Sequence, residues 1–295
     1  MTSSLLAQHP ALVARMAEAQ ARTAARRESP EPQQMFLPGL DPEVRAMPNH
    51  VARSSLFAPV ARGRKVLHEQ TVLVSRADAT ITYTGYQLDE AQADAWMQLM
   101  FEAKDAPLGQ PVLINRAAFL QAIGRGTSGR EYEWLHRAMF VFTAATIVIE
   151  TRKRDGAPKY RLGHTKAFHM LADFEYDADA ETYTFTIDPR WKTLFGGREY
   201  ALIDWDKRLQ IAQGQDMAKA LQRLTATSSD PVQRYALDWL KEKLQYTSPI
   251  RKFRASLIAA MQELERVGVI AGGRIERSTK GREQAAWTKL AGEES

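Results

Sequence analysis

The last third of the chain places an amphipathic helix directly before a β-hairpin. Between residues 249 and 267, apolar side chains recur in steps of three or four, which predicts a helix with one buried face. These side chains are Ile250, Phe253, Leu257, Met261, Leu264 and Val267. Ser248 is suited to cap this helix, Pro249 to begin it and Gly268 to end it.

The hairpin and the charge of this region extend the pattern. Strands are predicted at residues 274–277 and 284–290, around a turn at 278–281. From residue 251 to residue 289 there are nine Lys or Arg against four Asp or Glu. A cationic helix followed by a cationic hairpin is typical of a winged helix that binds duplex DNA. The alternative is a solvated amphipathic helix beside an edge hairpin, but the agreement of helix, hairpin and charge favours nucleic-acid binding.

The bulk composition limits the class of protein. A length of 295 residues favours two domains, and a net charge of +5 favours an anionic partner, without separating nucleic acid from acidic protein or membrane. There are no cysteines, which excludes disulfides and thiolate metal sites and suits a reducing cytoplasm. Because the sequence has no apolar run of about 20 residues and no signal-peptide pattern, we expect a cytoplasmic protein without membrane contact.

Composition divides the chain into three parts. Residues 5–27 are rich in Ala and Arg with a helical tendency, and residues 29–50 hold five prolines, which predicts a semi-extended linker. We therefore assign residues 1–50 to a flexible N-terminal helix and Pro-rich linker, 51–200 to a first winged-helix domain, and 201–295 to a second, the main DNA-reading domain.

The two compact domains show a similar order of predicted elements. In the first, a hairpin precedes a helix at 89–104, a strand, two further helices and a β-rich stretch. Helices of the second domain are predicted at 204–212, 216–225, 231–244 and 249–267. The order helix, helix, basic helix, basic hairpin thus occurs twice, with the basic turn of the first domain at 152–159. Residues 125–166 again hold nine Lys or Arg against four Asp or Glu. The predicted fold class is α+β, with two tandem winged-helix domains.

A glycine-rich loop lies between two helices of the first domain. Residues 124–129 match G-x-G-x-x-G, but a dinucleotide site needs a strand before the loop, and residues 119–123 are predicted as helix. Glu150 lies near the distance expected for a ribose ligand, which is weak support. We interpret the loop as the turn of a helix-turn-helix, with Arg125 and Arg130 facing phosphates.

Other polar clusters do not indicate catalysis. The acidic run at 173–181 lacks the glycine and glutamate of a calcium loop and is interpreted as a turn between strands. His164 and His169 are five residues apart, which suits ligation from neither a helix face nor a strand face. No phosphate-binding loop is present. We therefore predict no enzymatic activity, no cofactor and no metal.

An apolar peptide interrupts the linker at residues 34–40. Apolar side chains in a proline-rich linker have no core to join, so the peptide either docks into a partner's groove or packs back on its own domain. It is similar to the sliding-clamp-binding peptide of bacterial replication proteins. The candidate clamp-binding residues are Gln34, Met35, Leu37 and Leu40.

A block after the linker carries a family resemblance. It spans residues 45–59, and its most specific part reads Pro48-Asn49-His50-Val51-Ala52-Arg53-Ser54-Ser55-Leu56-Phe57. Together with the tandem winged-helix pattern, this block resembles the TrfA family of plasmid replication initiators, from about residue 35 to the C-terminus. The helix at 249–267 also looks like the DNA-reading helix of iteron-binding initiators.

The resemblance implies a function and a set of partners. The chain would bind direct repeats (iterons) at a plasmid origin and help to open an adjacent A·T-rich region. It would then recruit the host replicative helicase, the host initiator and the polymerase sliding clamp. Single-stranded DNA of the opened origin and a second copy of the chain are further implied partners.

Cationic side chains on the predicted helices and hairpins are the candidate DNA contacts. Arg251, Lys252 and Arg254 are the first choices for reading bases, with Arg130 and Arg137 as counterparts in the first domain. The remaining candidates are Arg274, Arg277, Lys280, Arg282, Arg125, Arg152, Lys153, Arg154 and Lys159. The alternatives are a winged-helix transcriptional regulator and an origin-nicking enzyme, for which no constellation of paired histidines and a tyrosine is visible.

Overall fold

The computed structural model describes residues 41–290 except 61–64, 108, 153–157, 163–168 and 196–198; of residues 152 and 158–162 it describes the backbone only. Within these residues the helices are α1 Asn49–Arg53, α2 Glu90–Glu102, α3 Arg116–Ala122, α4 Gly129–Ala144, α5 Trp191–Phe195, α6 Trp205–Gln210, α7 Asp216–Ala226, α8 Leu237–Lys243 and α9 Ile250–Arg266. The strands are β1 Val44–Pro48, β2 Leu67–Leu73, β3 Ala79–Tyr86, β4 Pro111–Asn115, β5 Thr146–Arg152, β6 Pro158–Leu162, β7 Leu171–Asp177, β8 Thr182–Ile187, β9 Tyr200–Asp204, β10 Val232–Ala236, β11 Ile270–Arg277 and β12 Glu283–Lys289. The predicted N-terminal helix, most of the predicted linker and the 34–40 peptide lie outside the described residues.

The first winged helix consists of α2, β4, α3 and α4, completed by the β7–β8 hairpin. Its three-stranded sheet has the order β4-β8-β7, and both pairings are antiparallel. Asp89 begins α2 with a capping box, in which its side chain accepts from the Gln92 N–H and the Gln92 side chain accepts from the Asp89 N–H. Trp96 of α2 is fully buried, with its ring 4.8 Å from that of Trp191 and 6.0 Å from that of Phe142.

The second winged helix repeats this order with α7, β10, α8, α9 and the β11–β12 hairpin. Its sheet order, β10-β12-β11, matches that of the first. The predicted fold class, α+β with tandem winged helices, is confirmed. The single helix predicted at 231–244 was wrong in its first half, because residues 232–236 pair with β12 and only 237–243 are helical.

A separate four-stranded sheet lies outside both winged helices. The predicted β2–β3 hairpin is confirmed, and β5 and β6 extend it in the order β2-β3-β5-β6. The basic hairpin around residues 152–159 therefore belongs to this sheet, and its interpretation as the first wing was wrong. The wing position, next to the strand that follows α2, is taken by β7–β8. The charge pattern had indicated the β5–β6 hairpin as the wing instead of the β7–β8 hairpin.

A two-stranded ribbon begins the described chain. β1 pairs antiparallel with β9, although the five prolines had predicted a linker as far as residue 50. Ala46 and Met47 of β1 are buried, and α1 continues directly from the strand. The pairing joins segments more than 150 residues apart, which no local pattern could indicate. None of the described helices has the length and apolar character needed to cross a membrane.

Candidate nucleic-acid interface

Helix α9 begins and ends almost where its sequence predicted. Pro249 is its N-cap, and the N–H groups of Lys252 and Phe253 donate to the Pro249 carbonyl at 3.0 and 3.1 Å. Ser248, which we predicted as the N-cap, therefore lies one residue before the observed N-cap. At the other end Gly268 has φ +70°, and the Val269 N–H donates to the Leu264 carbonyl at 2.9 Å. This geometry is a Schellman motif, which requires the glycine predicted as the stop.

The buried and exposed faces of α9 are sharply separated. The predicted stripe packs into the core of the second winged helix, where Phe253, Leu257 and Leu264 are fully buried. Each contributes about 1.5–3 kcal/mol by burial. The exposed face begins with Arg251 and Lys252 in the first turn, and within the described chain neither pairs with an acidic side chain.

Arg254 occupies a different position from its two neighbours. Its guanidinium pairs with Glu283 at the start of β12, and about 38% of its side chain is exposed. The contact joins the first turns of α9 to the tip end of the wing, where Glu283 pairs with Arg277 across the hairpin. Arg254 thus holds helix and wing together, and its guanidinium is less free for bases than those of Arg251 and Lys252.

The wing closely approaches α9 at a pair of glycines. Gly272 has φ +64° at a register shift in β11, and the next residue, Gly273, lies over the helix. A Cβ atom added to Gly273 would be 2.9 Å from the Cβ atom of Met261. The Gly273 N–H donates to Glu265 Oε1 at 2.7 Å. A side chain at residue 273 would therefore push the wing away from the helix.

The wing presents cations at its tip. Arg277, Lys280 and Arg282 are exposed, and none of them pairs with an acidic side chain of the described chain. Arg274 instead pairs with Glu276, at 2.7 Å from Nη2 to Oε2. Glu276 also accepts hydrogen bonds from Gln284 and Arg234, and the bond from Gln284, followed by those from the arginines, lowers its pKa. All four wing candidates are thus exposed, and three of them have no acidic partner within the described residues.

The glycine-rich loop of the first winged helix is the turn between α3 and α4, as predicted. Gly124 has φ +70°, and the Arg125 N–H donates to the Leu120 carbonyl at 2.9 Å, a second Schellman motif. The Arg125 guanidinium lies 3.8 Å from the ring centre of Trp134 and pairs with Glu131 at 2.6 Å. Arg125 therefore braces the turn, and its cation is partly neutralised.

The exposed face of α4 is less cationic than that of α9. Arg130 and Arg137 are exposed, as a DNA contact requires, but Glu133 lies between them on the same face. Phe140 follows with 57% of its surface exposed, and its ring lies 5.0 Å from that of Phe174 in the wing.

The wing of the first winged helix is acidic. Residues 171–187 contain five Asp or Glu and no Lys or Arg, and all five carboxylates are exposed. The Asp177 side chain accepts from the N–H groups of Asp179 and Ala180 at 2.9 and 3.0 Å, so the acidic run forms the predicted turn. Arg152 and Lys159 lie in β5 and β6, but their side chains, like all of Lys153 and Arg154, are outside the described residues.

Buried charges join the two winged helices, a feature that the sequence analysis missed. Glu90 of α2, Arg208 of α6 and Arg223 of α7 are fully buried. Glu90 Oε2 accepts from Arg208 Nη2 at 3.1 Å and from Arg223 Nε at 3.2 Å, and Arg223 Nη2 donates to the second carboxylate oxygen. One carboxylate of the first winged helix thus neutralises two guanidinium groups, one from α7 of the second winged helix and one from α6, which precedes it.

A second carboxylate of α2 continues the network. Asp94 accepts from Arg208 Nε at 2.5 Å and from Lys219 Nζ at 2.6 Å. Burial alone would raise its pKa, but Arg208 and Lys219 hold the pKa of Asp94 below its ordinary value. The signal in the sequence is complementary spacing, since Glu90 and Asp94 are four residues apart in α2, as are Lys219 and Arg223 in α7.

The block at residues 48–57 lies in the same interface. Arg53 Nη2 donates to the Thr227 carbonyl at 2.5 Å, and the Phe57 carbonyl accepts from Arg223 Nη2 at 3.3 Å. The Ser54 carbonyl accepts from Lys243 Nζ at 3.2 Å. Lys243 is fully buried, and burial, reinforced by Arg223, lowers its pKa to about 7. The block thus connects the two winged helices.

The fold and this interface define a class, a tandem winged-helix protein in which one module carries a cationic helix and wing. The family model described as "TrfA protein" matches residues 33–276, and the chain belongs to the TrfA family. Plasmid replication initiator protein TrfA of Escherichia coli is 28% identical over 177 residues, which cover 57% of this chain and 44% of that protein. The match therefore spans less than half of the length of that curated relative.

Solved structures of RctB share the fold. The crystal structure of RctB domains 2–3 gives a TM-score of 0.51 at 11% identity and covers 82% of this chain and 97% of that one. The selenomethionine structure of the same two domains gives 0.50, also at 11% identity, with coverage of 80% and 95%. Identity this low establishes the shared fold alone.

Proposed function

We propose that this protein is a plasmid replication initiator that binds direct repeats at an origin through its second winged helix. The observation that carries the proposal is the acid-free start of α9, with Arg251 and Lys252 exposed, beside a wing with Arg277, Lys280 and Arg282 exposed. Membership of the TrfA family supports plasmid replication as the setting.

The division of labour within the proposed interface follows from geometry. A recognition helix in the major groove places the residues of its first turns against base edges, and Arg is suited to bidentate contact with guanine. Exposed wing cations are suited to phosphates, where they add affinity without sequence preference. Two winged helices on one chain could contact successive major grooves, about 10 base pairs apart.

The further steps of initiation belong to the same proposal. The protein would promote opening of an A·T-rich region, contact the exposed single strand, and recruit the host helicase, host initiator and sliding clamp. It would do so as a binding protein without catalytic activity, acting in the cytoplasm, with a second copy of the chain as an additional partner. The family relationship supports these steps.

A footprint on the plasmid DNA that flanks the gene tests the proposal. We expect protection of direct repeats of roughly 20 base pairs by the full chain, and loss of that protection in the double variant Arg251→Ala/Lys252→Ala. The matched control is Arg76→Ala, which removes an exposed cation in the turn between β2 and β3. Protection of a single palindrome would favour a transcriptional regulator, and metal-dependent strand cleavage would favour a nicking enzyme.

Clamp recruitment has its own test. Replacing Gln34 and Leu37 by Ala removes side chains of the candidate docking peptide, which is separate in sequence from both winged helices. We expect weaker retention of the purified sliding clamp and unchanged duplex binding. Unchanged retention of the clamp would show that the resemblance of the peptide is fortuitous.

A further inference from the structure

The middle of the exposed face of α9 is apolar. After Arg251 and Lys252, the exposed positions are Ala255, Ile258 and Ala259, and Ile258 has 41% of its surface exposed. These residues lie away from the buried stripe, so their apolar character is not required by the core. An exposed isoleucine between small residues on a cationic helix is free to make an apolar contact when a partner is bound.

The rise of the helix sets the distance between this apolar patch and Arg251. Ile258 follows Arg251 by seven residues, which is about 10 Å along the axis and close to three base-pair steps. Gln262 is exposed one turn further on, and no acidic residue occurs between Arg251 and Gln262. The alanines bring little bulk, so the helix backbone can approach the partner closely.

The major groove offers one prominent apolar group, the C5 methyl of thymine. We infer that α9 reads thymine methyl groups through Ile258, in a cleft formed with Ala255 and Ala259, about three base pairs from the base read by Arg251. Gln262 is then placed to form paired hydrogen bonds with an adenine. This inference rests on the proposed duplex binding and adds which base chemistry the repeat must contain.

The neighbouring charges favour this occupant over an apolar protein surface. Arg251 and Lys252 flank the patch at one end, and the wing cations Arg277, Lys280 and Arg282 belong to the same winged helix. A protein partner would have to be apolar at its centre and acidic around it, whereas duplex DNA has methyl groups on the groove floor and phosphates on both rims.

The experiment removes the methyl group alone. The full chain selects binders from a random 20-base-pair duplex pool, and the enriched duplex is then synthesised with thymine or with uracil at each thymine position in turn. Uracil pairs identically but lacks the methyl. We expect at least one position at which uracil weakens binding about fourfold, the effect of one buried methyl group.

The variant Ile258→Ala completes the test. It should bind the thymine duplex about as weakly as the wild type binds the uracil duplex, and it should no longer distinguish the two bases. Val232→Ala, which shortens a side chain with the same 41% exposure in β10, should retain the distinction.

Two results would overturn the inference while duplex binding stands. One is an enriched duplex that tolerates uracil at every position, and the other is equal uracil sensitivity in Ile258→Ala and wild type. Failure to enrich any duplex would overturn the proposed function and this inference together.

Discussion

The two winged helices share the order of their elements and the strand order of their sheets, but their wings carry opposite charge. The β7–β8 wing spans residues 171–187 and has five acidic residues and no basic one. The β11–β12 wing spans 270–289 and has five basic residues and two acidic ones. The two modules therefore have the same topology, but the charge of their wings differs.

This difference assigns unequal parts to the modules. An acidic wing repels phosphates, so the first winged helix can approach a duplex mainly through Arg130 and Arg137 of α4. The second offers a cationic helix and a cationic wing together. Glu90 and Asp94 of the first winged helix also form ion pairs with Arg223 and Lys219 of α7 in the second.

The largest expected effect concerns the ion pairs of Glu90. Glu90→Ala leaves Arg208 and Arg223 buried without their carboxylate, which should lower the free energy of unfolding by about 3–5 kcal/mol. Urea denaturation measures the loss. Glu242→Ala, an exposed glutamate in α8, is the control and should change stability by less than about 0.5 kcal/mol. Equal effects would mean that the modules are not joined by this network.

The second prediction compares the two helices directly. Arg251→Ala should weaken binding of the selected duplex by 1–3 kcal/mol, or about 5- to 150-fold, as expected for a bidentate base contact. Arg137→Ala should cost less than about threefold, because Glu133 already reduces the potential of that face. Titrations by fluorescence anisotropy at one salt concentration give both values. A larger loss for Arg137→Ala would reverse the assignment of the reading module.

The third prediction uses the buried amine between the modules. The pKa of Lys243 is about 7 in the fold and 10.5 ordinarily, so between these values the unfolded chain binds a proton that the folded chain does not. The free energy of unfolding should therefore rise with pH in this window, by up to about 1 kcal/mol per unit. Lys243→Met should be more stable than wild type at pH 7, with a gap that narrows by pH 9. Parallel pH profiles in urea denaturation would contradict this.

The smallest effect concerns the wings. Lys280→Ala and Arg282→Ala should each reduce the slope of log affinity against log salt by about 0.9, the value for one lost phosphate contact. Asp173→Asn and Glu175→Gln, in the acidic wing, should leave the slope unchanged or make it slightly steeper. If neutralising the acidic wing lowered affinity, that wing would be contacting the duplex through hydrogen bonds that we have not assigned.

Features that depend on local chemistry could be predicted from sequence. The buried stripe of α9, its glycine stop and the turn at Gly124 each follow from side-chain periodicity or from a backbone conformation that favours glycine. The exposed positions of Arg251 and Lys252 follow from the same helix geometry. These are the parts of the candidate interface that the sequence could reveal.

Features that depend on partners distant in sequence could not be predicted. Strand β10 resembles a helix in sequence because only Gln233 of its five residues is buried. Its partner strand, β12, is about 50 residues further along the chain. The burial of Glu90, Arg208 and Arg223 is one example. Charged residues are almost never buried unless they are paired, and here the partners are more than 100 residues apart in sequence. Likewise, the choice between two hairpins for the first wing depended on which one joins β4.

The ribbon of β1 and β9 has a consequence for how the protein is made. At about 5–20 residues per second, roughly 10–30 seconds separate the synthesis of β1 from that of its partner. During that time the first winged helix can form while its entry strand waits unpaired. Closure of the ribbon must wait for β9, and docking of α7 onto α2 must wait for residues 216–226, so the join between the modules can form only in the last third of synthesis.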